Sequence, residues 1–347
     1  MKLKETIVLT ALLSVLLGSC SERDRFVLIS GYAQGGTYAI KANLRGVSAP
    51  PSSITSAVDS ILTLVDTTLS GYNKSSMLSR FNAGETIVPN SLFCDIYAYC
   101  SDLYRETGGC LDIASGPLFD IWGFGFSTDS LPSDDLVRRT VATCGMSRLP
   151  ARIEAGRPLD PQALVGAEST LPRLNFNAVA QGYTCDIVAD YLRSIGVRDM
   201  MVDIGEIYCE GHNPSGRGWT IGVDRPVDGN DEPGADLDGV WSSEMQPCGI
   251  VTSGNYRKFY IRDGRKYAHT IDPRTGYPVQ HQLLSATIVA PTAAEADALA
   301  TYCMVIGLEK AQEYILDSQE IEGYLIYDRD GEMQEWASPA FALCQSD

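Results

Sequence analysis

Asp297 and Thr301 stand four residues apart in "AAEADALATYCMVI", residues 293–306. If that run is helical, a carboxylate lies one turn from a hydroxyl on the same face. Two hard oxygens so placed suit one cation, and magnesium takes oxygens while keeping positions for water and substrate phosphates. The spacing also has a plainer use, in which Asp297 complements the helix dipole and Thr301 bonds back onto its own helix. His269, one of three histidines, sits in "KYAHTIDPRTGYP", residues 266–278. It reads equally as a working group near a strand end or as a histidine packed in a sheet. The residues alone leave both pairs of readings open.

The neighbouring pattern shows which elements must carry these groups. Thr292 and Glu295 have the spacing of a capping box, and Gly307 closes the run that holds Asp297. "KFYIRDGRKYAHTID" reads as a hairpin turning at Asp263-Gly264. That register pairs Tyr260 with Tyr267 and Lys258 with His269, and it puts Tyr267, His269 and Ile271 on one face. The "DPRTG" that follows turns the chain just past the histidine. Apolar spacing predicts helices over 53–69, 91–107 and 178–195, the last ended by Gly196. "DMMVDI" and "WTIGVD" read as strands. Residues 21–50 look extended, 127–174 carry one short helical run, and 227–247 read as an acidic loop.

Composition bounds the function. The chain has 347 residues, 44% of them hydrophobic, enough for a large core. A net charge of -17 argues against a nucleic-acid partner, since phosphate backbones need a basic surface. It leaves room for a phosphate-bearing small ligand whose charge a metal ion offsets. Lys2 and Lys4 precede the apolar run "TIVLTALLSVLLG" (6–18), too short to span a bilayer comfortably and suited to a signal peptide. It ends in "LGSC", which resembles a bacterial lipobox and makes Cys20 the expected lipidated residue. The expected organisation is a leader over 1–19, a membrane-proximal linker over 20–29 and a single domain over 30–340. A diacyl anchor tethers the chain without spanning. The nine later cysteines include no C-x-x-C, so zinc and thioredoxin-type readings are weak, and most read as small buried apolar residues. No G-x-S-x-G elbow, phosphate-binding P-loop, dinucleotide fingerprint or H-E-x-x-H occurs. His212 and His281 read as surface residues.

Five stretches in order carry a resemblance: "LDIASGPLFDIWGFG" (111–125), "NFNAVAQGYTCDIVADYL" (175–192), "TSGNYRKFY" (252–260), "YAHTIDPRTGYPV" (267–279) and "SATIVAPTAAEADALAT" (285–301). Over roughly residues 30–320 the chain resembles the ApbE-like FAD:protein FMN transferases. That resemblance implies an α/β (α+β) fold with mixed, largely antiparallel sheets flanked by helices. It implies an exported, membrane-anchored lipoprotein facing the periplasm. It also implies that the enzyme uses Mg2+ to split FAD, joins the FMN phosphate to a threonine or serine of a flavin-carrying subunit of a membrane redox complex, and releases AMP. Some relatives mainly hydrolyse FAD to FMN and AMP, and a non-catalytic FAD-binding lipoprotein is a third reading.

Residue by residue, the resemblance makes Asp297, Thr301 and the backbone carbonyl of Ala178 the metal-binding set. It puts Gln181 beside the flavin nucleotide, and Asn175 where many relatives have aspartate. Tyr72 matches an aromatic position against the isoalloxazine, for which a ring face is suited. Trp122, Gly123 and Phe124 match a nucleotide-contacting segment, Gly35 falls near a position usually held by methionine, and Ile271 matches a flavin contact through its backbone. His269 has the intrinsic pKa of a general base for the attacking hydroxyl. "VDIGEI" (202–207) is one glycine short of the family's usual pattern, which puts the contacts of Gly205 and Glu206 in doubt.

Overall fold

The computed structural model describes residues 24–124, 131–166, 170–227, 229–230, 234–256, 259–262 and 265–344. The expected leader, Cys20, Lys258 and the Asp263-Gly264 turn lie outside them. Strands β1 (Phe26–Ala33) and β2 (Gly36–Asn43) form a hairpin. At its tip Gln34 and Gly35 take φ of 51° and 83°, the left-handed pair a two-residue turn between twisted strands needs. β1 begins inside the stretch expected as linker, so residues 26–29 belong to the folded unit.

Helices α1 (Pro51–Leu69), α2 (Met77–Asn82), α3 (Ser91–Glu106), α4 (Gly116–Ile121), α5 (Asp134–Thr143) and α6 (Pro161–Val165) follow. The sequence foresaw α1 and α3 but only one short helical run where α5 and α6 form. Each of the two is short and begins at a polar cap, Ser133 or Asp160, with few apolar positions to show a period. Next come α7 (Ala180–Ser194), β3 (Met200–Asp203), β4 (Ile207–Glu210), β5 (Thr220–Asp224), β6 (Leu237–Ser242) and β7 (Cys248–Gly254). β6 corrects the reading of 227–247 as an acidic loop. Gly239 and Trp241 face inward on alternate positions, and the acid that disguised the strand, Asp238, is buried and accepts a hydrogen bond from the Tyr324 hydroxyl. The chain continues through β8 (Phe259–Arg262), β9 (Arg265–Ala268), β10 (Ile271–Asp272), β11 (Tyr277–Pro278) and β12 (Leu283–Ala290). It ends with α8 (Ala293–Ile306), α9 (Leu308–Asp317), β13 (Glu322–Arg329), β14 (Glu332–Ala337) and β15 (Leu343–Cys344).

Eight strands build the main sheet in the order β1-β2-β3-β4-β7-β12-β13-β14, and every described pairing is antiparallel. Alternation along the strands sends successive side chains to opposite faces. Val251, Ile288 and Leu325 pack under α8 and α9, while Ile250, Val289, Tyr324 and Ile326 pack against a second sheet, β15-β6-β5. At the other end of the main sheet, Ile40, Met200, Val202 and Tyr208 bury against α1 and α7. The fold is thus an antiparallel sheet with helices on one face and a small sheet on the other.

The hairpin β8–β9 forms in the expected register, Tyr260 opposite Tyr267. His269 differs from expectation. The strand stops at Ala268, and Ile271 belongs to a separate two-residue pairing with Pro278, so no single strand face joins Tyr267, His269 and Ile271. Thr270 explains the break. Its carbonyl accepts from the Val279 amide at 3.0 Å and its hydroxyl donates to Asn255 Oδ1 at 2.6 Å, bonds that pull the backbone off the β8 ladder.

Candidate active site

α8 is apolar on nearly every side, with ten of its fourteen residues buried. A helix like this must sit deep, and two glycines let it. A β-carbon on Gly182 of α7 would stand 2.2 Å from the Ala293 carbonyl oxygen, and one on Gly249 of β7 would stand 2.3 Å from the Ala293 α-carbon. Glycine is the residue that permits such backbone approach. The N-terminal amides of α8 are satisfied in two ways. Thr292 Oγ1 accepts from the Glu295 amide at 3.2 Å, as the capping spacing foresaw. The Asp186 carboxylate, reaching over from α7, accepts from Ala293 and Ala294 at 2.9 and 2.8 Å.

Asp297 lies one turn into this helix, 4% exposed. Its Oδ2 accepts the Gly182 amide at 3.1 Å. With Val179 as the N-cap, Gly182 is the third residue of α7, and its amide is one that a helix start leaves without an intrahelical partner. Ala178, just before the helix start, lines the cleft, and no described backbone amide outside the regular elements donates to its carbonyl. Thr301 Oγ1 is 3.3 Å from Ser253 Oγ on β7. Ala178, Asp297, Thr301 and Ser253 all line one cleft of about 1660 Å³. Among the described residues no cation pairs with Asp297, and no three His, Cys, Asp or Glu side chains cluster as a closed metal cage. One carboxylate, one hydroxyl and one peptide oxygen open to a cleft fit a magnesium ion that keeps positions for substrate oxygens. A buried carboxylate without a counter-charge fits it too.

Electrostatics carry the same mark. Burial pushes the Asp297 carboxyl up to about 7, against the pull of the Gly182 amide. Burial likewise raises Asp186 to about 6, and Asp112, another cleft residue, to about 6 despite bonds from Met146 and Ala114. In each case the folded state holds its proton more tightly than the unfolded chain, whose carboxyls titrate near ~3.9. The stabilising share is therefore present below that value and lost as pH rises through about 6 to 7. The melting temperature of metal-free protein should fall between about pH 5 and pH 8, and Mg2+ should recover more of it at pH 8 than at pH 5. Thermal scans across that range with and without the ion check both statements.

The cleft gathers most of the residues singled out in the sequence: Gly35, Tyr72, Phe124, Asn175, Ala178, Gln181, His269, Ile271, Asp297 and Thr301. Gly35 arrives on the β1–β2 tip, which Gln34 Nε2 pins to Thr184 Oγ1 on α7 at 2.7 Å. Tyr72 is 77% exposed at the rim, as is Tyr32 at 73%. The Asn175 amide donates to the Ile113 carbonyl at 2.7 Å, and its Oδ1 accepts from Asn177 at 2.9 Å. Gln181 Nε2 donates to the Ile204 carbonyl at 3.2 Å. The short "VDIGEI" loop closes with Gly205 at a φ of 91°. A β-carbon there would meet Gln181 Nε2 at 2.3 Å, and Glu206 still reaches the cleft wall.

Trp122 and Gly123 lie behind the lining. Trp122 is 5% exposed, donates from Nε1 to the Gly276 carbonyl at 2.7 Å, and packs with Leu118, Val137 and the side chain of Ile271. Gly123, at a φ of 79°, ends α4. An aromatic stack runs Phe124, Tyr260, Tyr267, Trp122 with centroid spacings of 5.2, 5.3 and 5.8 Å, and His269 meets the edge of Phe124 at 6.5 Å. His269 thus stands at the end of a packed aromatic column and faces the cleft. Of the other histidines, His212 is half-buried, with Nε2 3.4 Å from Asp199, and His281 lies near Met304, whose carbonyl is 2.8 Å from its Nε2. Neither lines the cleft.

Sequence reasoning missed Ser253, Gln34, Asp186 and the two packing glycines. Gly182 inside a helical pattern and Gly249 inside a strand were the available signals, since a glycine in either place marks close approach.

The ApbE family profile matches residues 35–325. The chain is 33% identical over 348 residues to a protein named FAD:protein FMN transferase from Vibrio cholerae serotype O1, covering 96% of this chain and 97% of that one. It is 29% identical to a protein of the same name from Haemophilus influenzae, covering 96% of each. Among solved structures, the flavin transferase ApbE from Vibrio cholerae superposes with a TM-score of 0.74 at 30% identity, over 92% of this chain and 98% of that one. The apo flavinyl transferase ApbE of Pseudomonas stutzeri gives 0.77 at 29% identity, over 91% and 96%. With its antiparallel sheet, its glycine-seated helix and these likenesses along nearly the whole length, the chain belongs to the ApbE family.

Proposed function

We propose that this chain is a magnesium-dependent FAD:protein FMN transferase. The observation that carries the reading is the buried Asp297, which caps the first turn of α7 through the Gly182 amide and lines one cleft with Ala178, Thr301 and His269. When bound there, Mg2+ supplies positive charge to the pyrophosphate of FAD, which an acidic protein cannot offer. Asp297, Thr301 and the Ala178 carbonyl would hold that ion. Tyr72, at the rim, offers a ring face to the isoalloxazine. A threonine or serine hydroxyl of the acceptor attacks the phosphorus on the FMN side of FAD. Its oxygen forms the new phosphoester bond, the bond to the AMP phosphate breaks, AMP leaves, and His269 takes the hydroxyl proton.

Family membership supports acceptors that are flavin-carrying subunits of membrane redox complexes. The leader and Cys20 support a lipid anchor on a periplasmic face. No helix among the described residues is long and apolar enough to cross a membrane.

His269→Ala should lower FMN transfer about 10²-fold with FAD affinity unchanged. Fluorescence titration of FAD beside an in-gel flavin assay on a candidate acceptor reads the two separately. Normal transfer by His269→Ala removes the base from the mechanism. Free FMN and AMP with no labelled acceptor point instead to an FAD pyrophosphatase with water as nucleophile. Tight FAD binding with no product points to a binding protein.

A further inference from the structure

Cys209 and Cys248 face each other across β4 and β7 in the middle of the main sheet. They are register partners, so both side chains leave the same face, the one that packs on β5 and β6. Their sulfurs are 3.6 Å apart, close but unbonded. Opposed residues of an antiparallel pair have α-carbons ~4.5 or ~5.5 Å apart, and both spacings lie within the range a disulfide spans. Cys209 is fully buried and Cys248 is partly exposed, so Cys248 is the more accessible of the two residues.

We infer that Cys209 and Cys248 form a cross-strand disulfide on meeting a disulfide-bearing oxidant. The Cys248 thiolate attacks the oxidant's sulfur–sulfur bond and releases one thiol. The Cys209 sulfur then attacks Cys248, expels the second thiol and gives up its proton. Two protein thiols are oxidised and one oxidant disulfide is reduced to two thiols. Interaction with Cys248 and then burial raise the Cys209 thiol above its usual range, which makes the second step the slower one. An oxidising compartment supplies such an oxidant.

The link spans 39 positions of sequence and closes the base of the excursion that carries β5 and β6. It also ties together the strands on either side of the cleft floor: β4 starts just after Glu206, and β7 carries Thr252 and Ser253. By restricting the unfolded chain, such a ring stabilises the native state.

The test treats the purified full-length protein with oxidised glutathione, blocks remaining thiols with iodoacetamide, and maps peptides by mass spectrometry without reduction. The expected result is one peptide holding Cys209 joined to one holding Cys248, with a melting temperature raised by roughly 5 °C over the reduced form. In Cys248→Ser both the linked peptide and the shift should vanish. Cys248→Ala repeats the comparison without a buried hydroxyl, should the serine variant fold poorly. Recovery of Cys209 and Cys248 as separate alkylated peptides overturns the inference, and so does an equal shift in the variants.

Discussion

If the proposed magnesium site is right, Asp297→Ala should abolish FMN transfer, a fall of about 10³-fold or more, while the protein stays folded. The magnitude follows from what a bound cation contributes to a transferring phosphate, several kcal/mol, with each ~1.4 kcal/mol worth a factor of ten. Folding survives because an uncompensated carboxylate at 4% exposure, its pKa pushed up to about 7, stabilises little on its own. Asp297→Asn sharpens the test. The amide oxygen still accepts from Gly182, so the first turn of α7 keeps its cap, but the charge is gone. Without magnesium this variant should melt at or above the wild-type temperature at pH 8, and magnesium should no longer raise it. Thermal scans with a metal titration, run beside the flavin-transfer assay, read both effects. An Asp297→Asn enzyme within tenfold of wild type would remove Asp297 from the metal site.

Gly182→Ala should be nearly as damaging, from a residue that makes no side-chain contact at all. A β-carbon there meets only backbone, the Ala293 carbonyl oxygen at 2.2 Å, its carbon at 2.6 Å and the Ala294 nitrogen at 2.9 Å. No side chain can swing away, so α8 must lift from α7. Overpacking of this kind costs about 3 kcal/mol, a fall of roughly 5 °C for a chain of this size. The lift also parts Asp297 from the Gly182 amide and from Ala178, and a displacement near 1 Å at such a site costs ~10²-fold in rate. Gly249→Ala presses on the same residue from the sheet side, 2.3 Å from the Ala293 α-carbon, and should act alike. Melting curves and magnesium dependence are the readouts. An alanine at either position that left both unchanged would show that α8 has slack.

The sequence by itself determined the helix α8, which carries Asp297 and Thr301, almost completely. Its capping Thr292, its closing Gly307 and the one-turn spacing of Asp297 and Thr301 are local facts, fixed by helix periodicity within fourteen residues. The helices α1, α3 and α7 and the Tyr260–Tyr267 pairing were legible for the same reason. Motif order identified the family, because five stretches in sequence constrain one another as no single stretch does.

Tertiary structure decided the rest. Nothing near Gly182 in sequence shows what caps its amide; that is Asp297, 115 positions later. Trp122 is also a buried post, its indole reaching a carbonyl 154 positions away, which nothing local in the sequence shows. β6 hid behind its acids because the hydroxyl that pairs with Asp238 belongs to Tyr324. His269 was placed by an aromatic column assembled from three separate segments. Periodicity and capping act over a few residues and can be read along the chain. Desolvation, capping of one helix by a side chain of another and strand register across the sheet depend on which distant residues meet, and only the packed fold fixes those meetings.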